Sequence, residues 1–159
     1  MSSTFIDQAF LDALVDKARL APRRRSHHTL HTSLSDPAQR MLVAMEPDSY
    51  VQPHCHFGPE KAETLIILRG RLGVILFEPD GTVQDSRELV PGGPNLGYDV
   101  VPGQFHSVQA LESGTVFLEA KAGPYVPLTE SEFAPWAPKE GAAGVAEFLA
   151  AAKGRFSLK

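Results

Sequence analysis

PHCHFGPEKAETLIILRG, residues 53–70, decides how the rest of the chain is read. Two histidines stand one residue apart, a Gly-Pro interruption follows, and Glu63 opens an apolar run that Gly70 closes. On an extended strand, side chains alternate faces and same-face neighbours lie roughly 6.5–7 Å apart. His54 and His56 therefore project to one side and Cys55 to the other. Two imidazoles at that separation can converge on one ion at about 2.0–2.1 Å. The turn through Phe57-Gly58-Pro59 returns the chain, so that a glutamate at the start of the next strand can add a carboxylate oxygen. Glu60 competes with Glu63 for this role, but its place after Pro59 is that of a solvated turn residue, and Glu63 is preferred.

Farther along, DVVPGQFHSV (99–108) places His106 just beyond a Pro102-Gly103 turn, where a strand re-enters a sheet. Taken singly, an H-x-H pair or a lone histidine reads as ordinary surface or structural imidazole; the combination carries the argument. Three histidines and one carboxylate make a mixed N/O donor set suited to a divalent Fe, Mn, Ni or Zn ion. The absence of cysteine ligands disfavours a closed structural zinc site. Four protein ligands leave positions open on an octahedral ion for a substrate or O2.

Around this stretch the chain reads as short strands. RMLVAMEP, AETLIILRG, RLGVILFEP, GTVQDSREL, GYDVVPG, FHSVQAL and TVFLEAK follow one another from Arg40 to about Lys121, separated by turn residues at the spacing of an all-β sandwich or barrel. Thirteen glycines and thirteen prolines supply those turns. Before the strands, Phe5, Ile6, Phe10, Leu11, Leu14, Val15 and Ala18 recur at helical spacing over residues 4–20, with Thr4 or Ser3 as N-cap and Pro22 as the stop. Residues 23–39 are polar and read as a loop or extended arm. Residues 123–141 are proline-rich, with Tyr125, Phe133 and Trp136 as packing anchors, and residues 142–153 form a short helix. The expected organisation is one domain over 1–159: an N-terminal helix to 22, a basic arm over 23–39, a β-barrel over 40–121, and the proline-rich segment and C-terminal helix over 122–159.

Composition narrows the function. The formal net charge of −4 lacks the basic footprint of a nucleic-acid binder. No apolar run approaches the length that spans a bilayer. The N-terminus carries Asp7, Asp12 and Asp16 within its apolar pattern and no basic leader, so a signal peptide is not expected. A single cysteine excludes an intrachain disulfide and suits a reducing cytoplasm.

H-x-H at 54–56, E-(x)6-G at 63–70 and P-G-x-x-H at 102–106, in a β-rich chain of this length, together resemble the cupin family. The resemblance implies a double-stranded β-helix (jelly-roll) barrel holding one metal ion through His54, His56, Glu63 and His106. Six residues separate His56 from Glu63 where the family usually has three or four, and Ala110 stands where an asparagine is often found. Over nearly the whole chain, PRRRSHHTLH, AQRMLVAMEPDSYVQPHCH, EKAETLIILRGRLGVILFEPDG, PGQFHSV, FLEAKAGPY and FAPWAPKEG are similar to the WbuC-type cupin-fold metalloproteins. That name is tied to bacterial O-antigen and surface-polysaccharide gene clusters.

The arm supplies the candidate substrate contacts. Arg23, Arg24, Arg25, His27, His28 and His31 crowd nine residues before the barrel. They read either as a solvated loop or as a flap presenting guanidinium forks to a carboxylate or phosphate. On the second reading Arg23, Arg25 and His31 bind an anionic ligand. Glu119 and Lys121 share a face by parity and read as a structural ion pair or as polar pocket lining, the first preferred, and Lys61 reads as a solvent-facing strand end. The expected function is a metal-dependent enzyme on a small anionic metabolite, such as a sugar or sugar-nucleotide intermediate of surface-polysaccharide biosynthesis. It would be isomerase- or epimerase-like, or a dioxygenase if the ion is Fe(II). The alternative is a non-catalytic metal- or ligand-binding or sensor module. The expected state is a cytoplasmic homodimer with neither a nucleic-acid nor a membrane partner.

Overall fold

The computed structural model describes residues 3–156. Helix α1 runs Gln8–Leu20, and Asp7, in extended backbone, accepts the Phe10 N–H at 2.9 Å. The helix thus starts later than the periodicity suggests: a residue whose carboxylate caps the first turn wins over Thr4 or Ser3. Phe5 and Ile6 fall outside it and are exposed. Leu11, Leu14, Val15 and Ala18 make its buried stripe.

Eight strands follow: β1 Arg25–Thr29, β2 Ala38–Met45, β3 Glu63–Arg69, β4 Leu72–Phe77, β5 Val83–Leu89, β6 Gly97–Val100, β7 Phe105–Ala110 and β8 Thr115–Ala122. All pairings are antiparallel, in a five-stranded sheet of order β1-β2-β8-β3-β6 and a three-stranded sheet of order β5-β4-β7. The core between them contains Val43, Met45, Leu65, Ile67, Leu72, Val74, Leu89 and Phe117. The outer face of the larger sheet is covered by α1, which packs on Leu42, Ala44 and Val116. With both faces covered, Leu42 to Met45 are all buried, which is why β2 reads as an unbroken apolar run rather than an alternation. Helix α2, Val145–Gly154, and Trp136 close the other sheet against Ile75, Phe77 and Phe105.

Two expectations are corrected. The basic arm is not wholly a loop: Arg25–Thr29 pairs with Met41–Met45 as an edge strand. In the proline-rich segment Trp136 is an anchor, its indole donating to Pro79 O at 3.1 Å and its ring 4.7 Å from Phe77. Tyr125, by contrast, is 46% exposed. The glycine that closes the E-(x)6-G pattern has a steric cause. Gly70 turns β3 into β4 at φ +76°, and a Cβ there would fall 2.8 Å from Thr115 Cα. Among the described residues no helix is long and apolar enough to cross a membrane.

Candidate metal centre

Backbone pairing, more than strand geometry, sets the site. Residues 53–56 are extended but belong to no regular strand; they lie between β7 and the proline-rich segment. His54 N donates to His106 O at 3.1 Å, and His106 N returns a bond to His54 O at 2.9 Å. On the other side Cys55 N donates to Glu132 O at 2.8 Å, and Ala134 N to Pro53 O at 2.9 Å. Gly103, in the turn before β7, donates to His56 O at 2.8 Å. The Pro102-Gly103 turn and the H-x-H stretch are thus stitched together, and Cys55 faces away, fully buried.

The result is a cluster. One nitrogen from each of His54, His56 and His106 lies within 4.8 Å of the others. His54 Nδ1 is 3.0 Å from Gln52 O, and His106 Nδ1 is 3.0 Å from Gln104 O. A carbonyl can only accept, so each Nδ1 carries the proton and each Nε2 keeps its lone pair. Burial, reinforced by the neighbouring His106, pushes His54 down to about 3, and burial likewise lowers His106. Both rings are therefore neutral at neutral pH, the form that ligates metals.

Glu63, at the start of β3, is 5% exposed and reaches this cluster, whereas Glu60 stays in the exposed turn. Its Oε2 is 3.1 Å from His56 Nε2, and its Oε1 is 4.0 Å from His106 Nε2. The shorter contact lacks the alignment of a hydrogen bond, and both His56 Nε2 and His106 Nε2 are buried without a partner. The residue opposite Glu63 on β8 is Lys121, whose Nζ lies 3.3 Å from Glu63 Oε2 and 2.7 Å from Glu119 Oε1. Burial alone would raise Glu63, but the His56 imidazole and the Lys121 ammonium outweigh it and hold the carboxyl below its ordinary range. Orphaned nitrogens, neutral imidazoles and an ionised carboxylate fit a divalent ion.

The cluster opens into a cavity of about 480 Å³ between the sheets. Met41, Val43, Leu65, Val108 and Phe117 line its apolar part, and Tyr98, Lys61, Glu119 and Lys121 its polar part. Arg23 and Arg25 also line it, but both forks engage Glu140. Arg23 Nε is 2.8 Å from Glu140 Oε1, and the Arg25 nitrogens are 3.0 Å from each carboxylate oxygen. His31 is not brought to the cavity: it is buried beyond β1, with Nδ1 2.9 Å from Arg40 O and 3.0 Å from Arg40 N. His27, on the same face of β1 as Arg25, lines the cavity instead. Strand parity would have found it had the arm been read as a strand. Tyr98 had no sequence signal, and Lys61, read as solvent-facing, lines the cavity.

Fold and site together define a cupin-type jelly-roll barrel that carries a three-histidine cluster able to hold a metal ion. Residues 6–89 match the family described as "Domain of unknown function (DUF6016)", and the chain belongs to that family. Among solved structures it is similar to KdgF from Halomonas sp., at 16% identity and TM-score 0.51, covering 67% of this chain and 85% of that one. It is likewise similar to the conserved SPY1581 protein of Streptococcus pyogenes, at 12% identity and TM-score 0.51, covering 79% and 92%. The DMSP lyase DddQ from Ruegeria pomeroyi DSS-3 aligns at 18% identity and TM-score 0.51, covering 68% of this chain and 52% of the lyase. At such identities the likeness concerns the fold. No curated protein matches the chain.

Proposed function

We propose that the protein is a metal-dependent cupin enzyme acting on a small anionic metabolite, with one divalent Fe, Mn, Ni or Zn ion held by His54, His56, His106 and Glu63. The observation that carries this reading is the pair of buried, unpartnered imidazole nitrogens facing a cavity large enough for a small molecule. Bound there, the ion supplies Lewis acidity to substrate oxygens. The chain's own residues would do the rest. Lys61 and the β1 arm offer positive charge at the cavity wall, Arg23 and Arg25 contributing the share that Glu140 leaves unneutralised. The apolar part of the cavity excludes water from the bound molecule. The likeness to WbuC-type metalloproteins supports a sugar or sugar-nucleotide intermediate of surface-polysaccharide biosynthesis as the substrate class.

A binding or sensor module is the second reading, and one feature favours it. The cavity's two carboxylates, Glu63 and Glu119, are both tied to Lys121, so neither is a free general base. Elemental analysis should find about one divalent ion per chain in the wild type and none in a His54→Ala/His56→Ala double variant. Full metal in the double variant places the ion elsewhere. Sugar phosphates, nucleotide sugars and small carboxylates should then be screened against the loaded protein, first by thermal shift and then for turnover. A ligand that stabilises but is never converted selects the binding module.

A further inference from the structure

Among the described residues, four buried side-chain polar atoms have no hydrogen-bond partner: His56 Nε2, His106 Nε2, Tyr98 Oη and Ser107 Oγ. Three of these four belong to residues lining the one cavity described above. Buried polar groups are normally paired, so such a concentration points to partners that are not part of the chain. An ion answers the two imidazole nitrogens. It does not answer the phenol, which is protonated and presents a donor hydrogen rather than a free ligand. Tyr98 stands on β6 opposite Leu65 of β3, with its ring edge-on to His106 at 6.1 Å between centroids. The two nearby carboxylates do not take its hydrogen, because Glu63 and Glu119 are turned to Lys121.

We propose that Tyr98 Oη is a substrate-contacting donor, giving its hydrogen bond to an oxygen of the small molecule bound beside the ion. This rests on the metal reading above and adds a ligand class to it. The molecule carries two neighbouring oxygens, as a carboxylate or a vicinal-oxygen group does, one directed to the ion and one to the phenol. Tyr98 then selects an oxygen acceptor beside the ion, and a molecule offering only an apolar group there leaves the hydroxyl unpaired and is rejected.

Acetate, whose carboxylate offers one oxygen to the ion and one to the phenol, serves as probe on Co(II)-loaded protein, with binding followed by the visible absorption of the ion. The Tyr98→Phe variant should keep its ion by elemental analysis and bind the probe about 5- to 10-fold more weakly, the loss expected for one neutral hydrogen bond. Equal affinity in the loaded variant overturns the assignment, as does a loaded wild type with no response to the probe. Should Tyr98→Phe fail to fold, the wild type is labelled with 3-fluorotyrosine and loaded with Zn(II). Of its three tyrosine resonances, Tyr50→Phe and Tyr125→Phe identify two, and the third must shift when the probe is added. An unmoved third resonance overturns the proposal equally. A wild type that takes up no ion fails the metal reading itself, whereas a loaded wild type with an indifferent Tyr98→Phe fails this inference alone.

Discussion

Lys121 is one ammonium between the partly buried Glu119 carboxylate, at 2.7 Å, and the buried Glu63 carboxylate, at 3.3 Å. Burial by itself would lower its proton affinity, yet Glu119 and Glu63 more than offset this and raise it; burial and the charge of Glu63 raise Glu119 in turn. Removing the ammonium leaves two neighbouring carboxylates in the cavity wall without a counter-charge between them. We expect Lys121→Met to destabilise the metal-free protein by about 3 kcal/mol, the low end for breaking a buried pair, since the lysine side chain is 21% exposed. A divalent ion placed beside Glu63 should offset much of that loss, so metal should raise the melting temperature of the variant more than that of the wild type. Melting curves of both proteins with and without Zn(II) decide it; equal metal-induced shifts would mean that Lys121 does not balance the ligand charge. Glu63→Gln should weaken metal binding more than tenfold in calorimetry, while Glu60→Gln in the exposed turn should leave it unchanged. A loss of affinity with Glu60→Gln would exchange the two roles.

The arm and the proline-rich segment are elements held together largely by charge. Glu140 takes both guanidinium forks, and the hydrogen bond from Arg23, with help from Arg25, brings its carboxyl down to about 2. A carboxyl lowered on folding stabilises the fold above its ordinary value, and that contribution is lost as pH falls from about 4.5 towards 2. Glu140→Gln should therefore cost on the order of 1 kcal/mol in urea unfolding at pH 7, a small figure because the carboxylate is 35% exposed. The difference from wild type should shrink steadily below pH 4.5; a difference constant down to pH 2.5 would show that the clamp carries no titrating charge. Why the sequence did not reveal this clamp is instructive. Strands β2, β3, β4, β7 and β8 and both helices are legible because burial writes an unbroken apolar run, or a period of two or of 3.6, into the residues, while β5 and β6 are marked out by the turn residues around them. RSHHT buries little, so β1 carries no such pattern and reads as a loop or an extended arm. His54 and His56 are legible as candidate ligands by type and spacing, although the segment that holds them is bridged by Phe133 and His106 rather than drawn into a sheet. Lys121 and Glu119 showed their parity, but only the register of β3 on β8 places Lys121 against Glu63.

At the scale of the whole molecule, the candidate ligands come from both sheets: Glu63 from the larger, His106 from the smaller, and His54 and His56 from the extended stretch paired alongside β7. An ion there would tie the sheets together at one end of the barrel. The three apolar clusters that hold the fold do not depend on it: one lies between the sheets, one under α1, and one under α2 and Trp136. With a core already built, metal binding adds to folding by mass action and is not a condition for it, in contrast to small domains organised around zinc. The chelator-treated protein should therefore keep its β-sheet circular dichroism and melt cooperatively. Free metal at about 100 times its dissociation constant contributes about 2.7 kcal/mol. For a chain of this size each kcal/mol moves the melting temperature by about 2–4 °C, so loading should raise it by roughly 5–11 °C. The shift should grow with the logarithm of free metal and vanish in the His54→Ala/His56→Ala variant, which should itself remain folded. A chelated wild type that is unfolded at 25 °C would mean that neutral imidazoles and an ionised carboxylate in one buried site cannot be tolerated without the cation, and that the barrel closes only around it.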